Sequence, residues 1–403
     1  MIRSRGFLGV TAADFLVRSA YQMGKTPLLP LFAAGLGAGD VLLGFIVAVS
    51  TLTGMVLKPF VGILSDRTGR RVWLLLGTAV FAGMPFVYAF VDSPNQLVLV
   101  RIIHGLATAI YGPVTLAYVV ELSSSNRAER LGWFSMARNA GYVVGPAAAG
   151  VLLLRMDPVH VFTVVGLLSS LAFVPIVLLP ETKSSPRVDR EPFLKQATRA
   201  ISVASRSTGV WLAGGMSAQV LIAEYAVKTF LPVYALSQGV NVVVVGAYFA
   251  LQEGTHLVLA PLGGRLGDRL GHMPTVVLGM AAMSAGLLTL AFGHGNGTLV
   301  LSAVLIGSAQ ALVFPSALAS VATAVNEHDL GACMGFVGAM KNSAKVAGPI
   351  LGGILIYLFG LEVTLAALAV MLVGVALVIY LVWRSGFRRA ASLTVLTGDA
   401  SIK

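Results

Sequence analysis

The chain has 403 residues, of which 57% are hydrophobic and only 11% charged, with a mean hydropathy of +0.86. Water-soluble domains carry about 25% charged residues, so a soluble globule is excluded and lipid is the solvent. The formal net charge of +11 has no soluble domain on which to form a basic patch, which argues against a nucleic-acid partner.

Apolar runs of about 20 residues, the length a helix needs to cross a hydrocarbon core, recur along the chain. They lack the period-2 alternation of barrel strands. In lipid every backbone donor and acceptor must be paired internally, so the runs predict helices. In chain order they cover residues 7–33, 41–60, 72–91, 96–120, 131–153 and 160–180, then 209–235, 243–264, 274–293, 298–324, 331–357 and 361–384. The first run follows Arg3 and Arg5, as a secretory signal would. It holds Asp14 and Arg18, however, and outruns the roughly 15 residues of a signal core, so it predicts a retained span. The one long polar stretch, Glu181 to Thr208, predicts a linker. The expected organisation is an N-terminal six-helix bundle (1–180), a linker (181–208), a C-terminal six-helix bundle (209–384) and a tail (385–403).

Of the 28 Lys and Arg residues, 19 fall in the N-terminus, the linker, the loops on their side and the tail, counting Arg384 at its border, and Arg155 alone falls on the opposite face. Cytoplasmic loops hold the basic excess, so both termini are expected in the cytoplasm, with the protein in the plasma (inner) membrane. Cys333 is the single cysteine and reads as a small packing residue. The six histidines have no metal-ligand spacing, so neither a metal site nor a cofactor is predicted.

Sliding the second half over the first by 202 positions brings Pro30 onto Pro232, Gly44 onto Gly246 and Pro59 onto Pro261. The stretch Gly62 to Arg71, GILSDRTGRR, then falls on Gly264 to Met273, GRLGDRLGHM, so that Asp66, Arg67 and Gly69 coincide with Asp268, Arg269 and Gly271. Later the offset becomes 203, and GYVVGPAAAG (Gly141 to Gly150) aligns with AKVAGPILGG (Ala344 to Gly353). Two parallel repeats related by an axis along the membrane normal place a binding site between them near the midplane.

These residues resemble the major facilitator superfamily over essentially the whole chain. GILSDRTGRR is similar to that family's most specific signature, and its copy after the eighth span is also expected there. The resemblance implies an all-α polytopic membrane protein, with twelve transmembrane helices in two pseudo-symmetric six-helix bundles. On physical grounds Asp66 can accept from a helix N-terminus and from Arg70 or Arg71, tying neighbouring helices on one face. Gly62, Asp66, Arg67, Gly69, Arg70 and Arg71, with Asp268 and Arg269, are therefore candidates for a conformational latch; the alternative is a fixed pair that only sets topology. Arg101 in RIIHG resembles the family's fourth-helix arginine, which is linked to proton coupling, with His104 where a glutamine is common. GYVVGPAAAG is similar to the fifth-helix motif of the family's antiporters and exporters, with Ala149 in place of a usual glycine. Gly141, Gly145, Pro146 and Gly150, with Gly348 and Pro349 in the second half, are candidate packing residues, since small side chains let helices approach closely.

Ionisable residues inside spans are expensive and face a cavity or one another. The acids are Asp14, Glu224 and Glu253; the bases are Arg18, Lys25, Lys58, Arg101, Arg138, Lys228, Lys341 and Lys345. Lys58 is expected to snorkel to the headgroups. Under the repeat Arg138 coincides with Lys341 and Asn139 with Asn342, and Lys25 lies one position from the equivalent of Lys228. Lys25, Arg138, Lys228, Lys341 and Lys345, with both asparagines, form a candidate site for a substrate bearing an anionic group. The alternative is local neutralisation, for which Asp14 with Arg18 and Glu224 with Lys228 have the i,i+4 spacing. Glu253, with no basic neighbour at i±3 or i±4, is the first candidate proton carrier, because burial favours the neutral form of an unpaired carboxyl; Glu224 and Asp14 follow.

The expected function is secondary transport by alternating access, proton-coupled and outward, of a small organic molecule that is anionic or else lipophilic and drug-like. The expected partners are that substrate, protons and the bilayer, and the expected state is a monomer. Uptake of an organic anion, and a membrane enzyme or sensor on the same fold, are the rivals. No phosphate-binding G-x-x-x-x-G-K-[ST] sequence occurs, which argues against an ATPase.

Overall fold

A computed structural model describes residues 2–122, 127–180, 198, 201–202 and 205–397, and among them the chain is helical without a strand. Most of the predicted linker lies outside the described residues. The first predicted span is α1 (Ile2–Met23), a π-turn at Gly24–Leu28 and α2 (Leu29–Gly35). Pro27 explains the break: the residue before a proline is pushed out of the helical region, and Thr26 has φ −144° and ψ 122°. Then come α3 (Asp40–Thr68), α4 (Arg70–Val87), α5 (Pro94–Leu122), α6 (Arg127–Leu153), α7 (Pro158–Ser170) and α8 (Phe173–Val177). The second half holds α9 (Thr208–Ser237), α10 (Val242–Leu270), α11 (His272–Phe292), α12 (Asn296–Ala324), α13 (Glu327–Phe359) and α14 (Leu361–Thr397).

Among the described residues ten helices are long and apolar enough to cross a membrane. The first predicted span is divided by its turn, and the fifth, α6, carries more small and polar residues. The last helix runs to Thr397, past the predicted end at residue 384, so the expected tail is helical for most of its length.

The turn α3–α4 pivots on Gly69 (φ 97°) and the turn α10–α11 on Gly271 (φ 92°), the left-handed region that favours glycine. The repeated signature is thus a helix–glycine–helix corner made twice.

Across the halves α3 packs on α13 and α6 on α10. A Cβ on Gly44 would collide with the Pro349 carbonyl oxygen, and one on Gly246 would lie 2.6 Å from that of Pro146. These two contacts exchange under the repeat, so one backbone crossing is made twice. Gly150 faces Val242 and Gly353 faces Asp40 nearby, whereas Gly141 and Gly145 pack on Ser19 and Gln22 of α1, and Gly348 on Ile222 and Tyr225 of α9. One strip of small residues on α6 therefore serves both its own half and the crossing, and so does its copy on α13.

Burial follows the same division. One apolar cluster runs through both halves at the end that carries these crossings, joining Leu29, Phe32, Leu43 and Phe162 to Phe230, Tyr248 and Leu287. Toward the end that carries the Gly69 and Gly271 corners, a separate cluster around Val61, Leu74 and Tyr118 belongs to the first half. Another, around Val210, Val321 and Cys333, belongs to the second. Among the described residues the buried apolar clusters thus join the halves at one end and stay separate at the corner end.

Candidate functional site

Asp14 on α1 is 1% exposed and is clasped by Arg138 of α6, whose Nε and Nη2 donate to its two oxygens at 2.9 Å each. The same guanidinium donates to Thr115 Oγ1 of α5 at 2.9 Å and stacks on Phe134. A bidentate arginine–carboxylate pair is among the strongest charge-assisted contacts. Arg18, the expected i,i+4 partner, reaches Asp14 only at 4.0 Å and lies 5.9 Å over the Tyr142 ring instead. The helical spacing was available, but the planar fork of Arg138 from the neighbouring helix fits both oxygens. Its charge is accordingly committed to Asp14 and is not open in the way that of Lys341 is.

In the second half Lys228 Nζ donates to Glu224 Oε1 at 2.5 Å, the expected i,i+4 pair, and to Glu253 Oε1 of α10 at 2.6 Å. His256 Nδ1 lies 3.6 Å from Glu253 Oε2. The expectation that Glu253 lacks a basic neighbour is thus corrected twice: His256 stands at i+3, and α9 supplies Lys228. Two carboxyls thus share one ammonium.

Between the halves the cations gather on Tyr225. Lys25 lies 5.1 Å from its ring centroid, Lys228 5.3 Å and Lys345 5.7 Å. Lys25 comes from the π-turn of the first half, while α9 stays helical at the equivalent place. There Thr229 stands in the register of Pro27 and donates to the Tyr225 carbonyl at 2.7 Å. Lys341 sits 4.2 Å over the Phe314 ring. Among the described residues no carboxylate oxygen lies within 4 Å of Lys25, Lys341 or Lys345. Lys58 is partly buried, with Lys345 and Arg18 among the charged groups around it. Asn139 is exposed and Asn342 half-buried, and neither side chain has a hydrogen-bond partner among the described residues. Tyr225, Tyr142, Thr115 and Phe314 escaped the sequence reading. Tyr225 carried a signal there, three residues before Lys228 on one helical face.

At the corner end Arg70 pairs with Asp66 and donates to Ser65 Oγ at 2.8 Å and to Glu121 of α5 at 3.0 Å. Arg71 donates to the Val177 carbonyl of α8 at 2.5 Å. These contacts tie α3, α4, α5 and α8 inside the first half. Arg67 is exposed, and a Cβ on Gly62 would meet nothing within 4 Å. Among the described residues neither Asp268 nor Arg269 makes an ion pair within 4 Å. Arg101 is buried at 2% exposure and donates to Ser50 Oγ, to the Ile46 carbonyl and to Tyr88 Oη, the last two at 3.4 Å.

Two repeated helical bundles, joined at one end and holding between them lysines with no carboxylate within 4 Å among the described residues, have the architecture of a polytopic membrane transporter. The sequence matches the Major Facilitator Superfamily over residues 15–255 and 220–395, and the chain belongs to that superfamily. An uncharacterized MFS-type transporter of Methanocaldococcus jannaschii is 24% identical over 372 residues, covering 88% of this chain and 92% of that protein. The quinolone resistance protein NorA of Staphylococcus aureus is 30% identical over 161 residues, which is 40% of this chain and 41% of NorA. Among solved structures the nucleoside transporter NupG has a TM-score of 0.79 at 14% identity, covering 93% of this chain and 99% of that one. A bacterial homolog of the human lysosomal transporter Spinster, inward-facing and unoccupied, has a TM-score of 0.75 at 15% identity, covering 94% and 96%. At such identities these two likenesses concern the fold. The protein is an integral membrane transporter of a small molecule, not an enzyme.

Proposed function

We propose that the protein is a proton-coupled exporter of small organic anions, working by alternating access of its two halves. The observation that carries this reading is the cluster of Lys25, Lys341 and Lys345 between the halves, without a carboxylate within 4 Å among the described residues, beside two carboxyls that share Lys228. Unpaired ammoniums against aromatic rings recognise a carboxylate or phosphate group on a partly apolar molecule. The shared ammonium lets Glu253 or Glu224 change protonation without stranding Lys228. With the basic excess in the cytoplasm, the corner end faces the cytoplasm and the Gly44–Pro349 and Gly246–Pro146 crossings close the opposite face. The likeness to a quinolone resistance protein supports outward transport of a foreign compound. The signature around Asp66 then acts as the latch of the corner end, and the working unit is a monomer in the plasma membrane.

The test is transport in proteoliposomes under an imposed pH gradient, with a carboxylated compound and its uncharged ester as substrates. Gradient-driven movement of the acid should exceed that of the ester. Glu253→Gln should abolish accumulation while leaving exchange, because the amide keeps hydrogen bonding but cannot titrate. Equal movement of acid and ester would overturn the anion reading. Intact accumulation by the Gln variant would move the proton carrier to Glu224 or Asp14.

A further inference from the structure

A second polar site is lined by residues of the first half alone and shares Lys25 with the Tyr225 cluster. A cavity of about 10 Å³, room for one water-sized particle, is lined by Tyr21, Lys25, Tyr88, Arg101, His104 and Ser169, among apolar neighbours. No carboxylate lines it. The hydrogen bonds around it have a fixed direction. Arg101 can only donate, so Tyr88 Oη accepts from it at 3.4 Å. The Tyr88 proton then has His104 Nδ1, 3.2 Å away, as its acceptor. Accepting at Nδ1 leaves the neutral imidazole with its proton on Nε2. His104 is 5% exposed, and its Nε2 is buried without a partner.

The remaining polar groups supply no negative charge to match these cations. Ser169 uses its proton on the Val165 carbonyl at 2.8 Å, which leaves its oxygen as a neutral acceptor, and the Tyr21 hydroxyl meets Ser50 and Arg101. Lys25 brings a second positive charge, held nearby only by the faces of Tyr21 and Tyr225 at 5.7 and 5.1 Å. Two cationic side chains and a histidine whose Nε2 is unpartnered line a space of one small particle inside a membrane protein, where uncompensated charge is expensive.

We infer that this cavity is a binding site for a monovalent inorganic anion of halide size, held by His104 Nε2–H, the Lys25 ammonium and Arg101. Its ligand is neither the transported molecule nor a proton, and Lys25, shared between the cavity and the Tyr225 cluster, links the two sites. Binding of the anion draws Lys25 toward the first half, whereas its release leaves the ammonium to the substrate.

The experiment uses the purified full chain in detergent, without substrate and without transport, so its outcome is independent of the proposed function. The melting temperature is followed as gluconate is replaced by chloride or bromide at a constant ionic strength of about 0.15 M. A ligand that binds the native state raises the melting temperature saturably. That rise is expected for both halides, with affinity lowered about tenfold or more in Lys25→Gln and in His104→Leu. His104→Gln, which keeps an N–H donor, should retain it. Binding of labelled chloride to the wild-type protein requires no variant and is expected to saturate at one ion per chain. A melting temperature indifferent to halide, or a halide response equal in wild type, Lys25→Gln and His104→Leu, overturns the site. So does an absence of chloride binding with a phenolate absorbance showing Tyr21 as the counter-charge.

Discussion

Arg138 and Lys341 occupy the same position in the two repeats and live in different surroundings. Arg138 is locked to Asp14 and Thr115 within its own half. Lys341 rests on Phe314 with no carboxylate within 4 Å among the described residues. The second repeat has no acid in the register of Asp14, where Met216 stands. Its carboxyls lie instead on α9 and α10 and converge on Lys228. Repeat symmetry thus fixes where a side chain sits, while the neighbours each half supplies fix whether its charge is spent on the fold or left for a ligand.

The largest expected effect breaks the closed member of that comparison. Asp14→Asn leaves Arg138 beside an uncharged amide and should cost about 3 to 5 kcal/mol of stability, the usual loss when one partner of a buried pair is removed. Thermal unfolding in detergent measures it, and a loss below about 1 kcal/mol would show that Arg138 is not held by the pair.

The open member should respond in binding. Lys341→Gln is expected to weaken an anionic ligand by about 2 to 5 kcal/mol, more than tenfold, while shifting stability by no more than about 0.5 kcal/mol. Titration with a carboxylate and its ester isostere separates the two, and an equal loss for both compounds would remove Lys341 from charge recognition.

A smaller effect sharpens the contrast between the joined end and the corner end. Gly246→Val places side-chain atoms against the Pro146 carbonyl and should cost about 1 to 3 kcal/mol, as overpacking does. Part of that cost appears as a population shift, since the clash exists only in the state in which the crossing is closed. Distances between spin labels on the two halves, near residues 40 and 353, should broaden toward longer values; an unchanged distribution would mean that the crossing yields locally.

The smallest stability effect belongs to the corner. Asp66→Asn removes a partly exposed pair and should change stability by about 1 kcal/mol or less. Transport should nonetheless fall strongly if the corner is a latch, and expression with full transport would leave Asp66 as a marker of topology.

Much of the architecture was legible because hydrocarbon imposes a length and a composition on every span. Twelve runs and their pairing into repeats, with Gly69 falling on Gly271, follow from the chain read in order. The break at Thr26 had its sign in Pro27, but nothing in the sequence said that the break would carry Lys25 to Tyr225. The partners of Glu253 and Arg138 were hidden for a related reason. Helical spacing ranks neighbours along one helix, whereas the strongest contacts of both residues come from the helix alongside.

The sequence by itself determined the solvent, the number of spans and the register of the two repeats, since each follows from local hydropathy and from identity at fixed offsets. Only the tertiary structure decided which buried charges neutralise one another and which end of the molecule is joined. Both depend on packing between helices distant in sequence, where an ångström of approach decides whether an arginine reaches a carboxylate and whether a glycine admits a carbonyl.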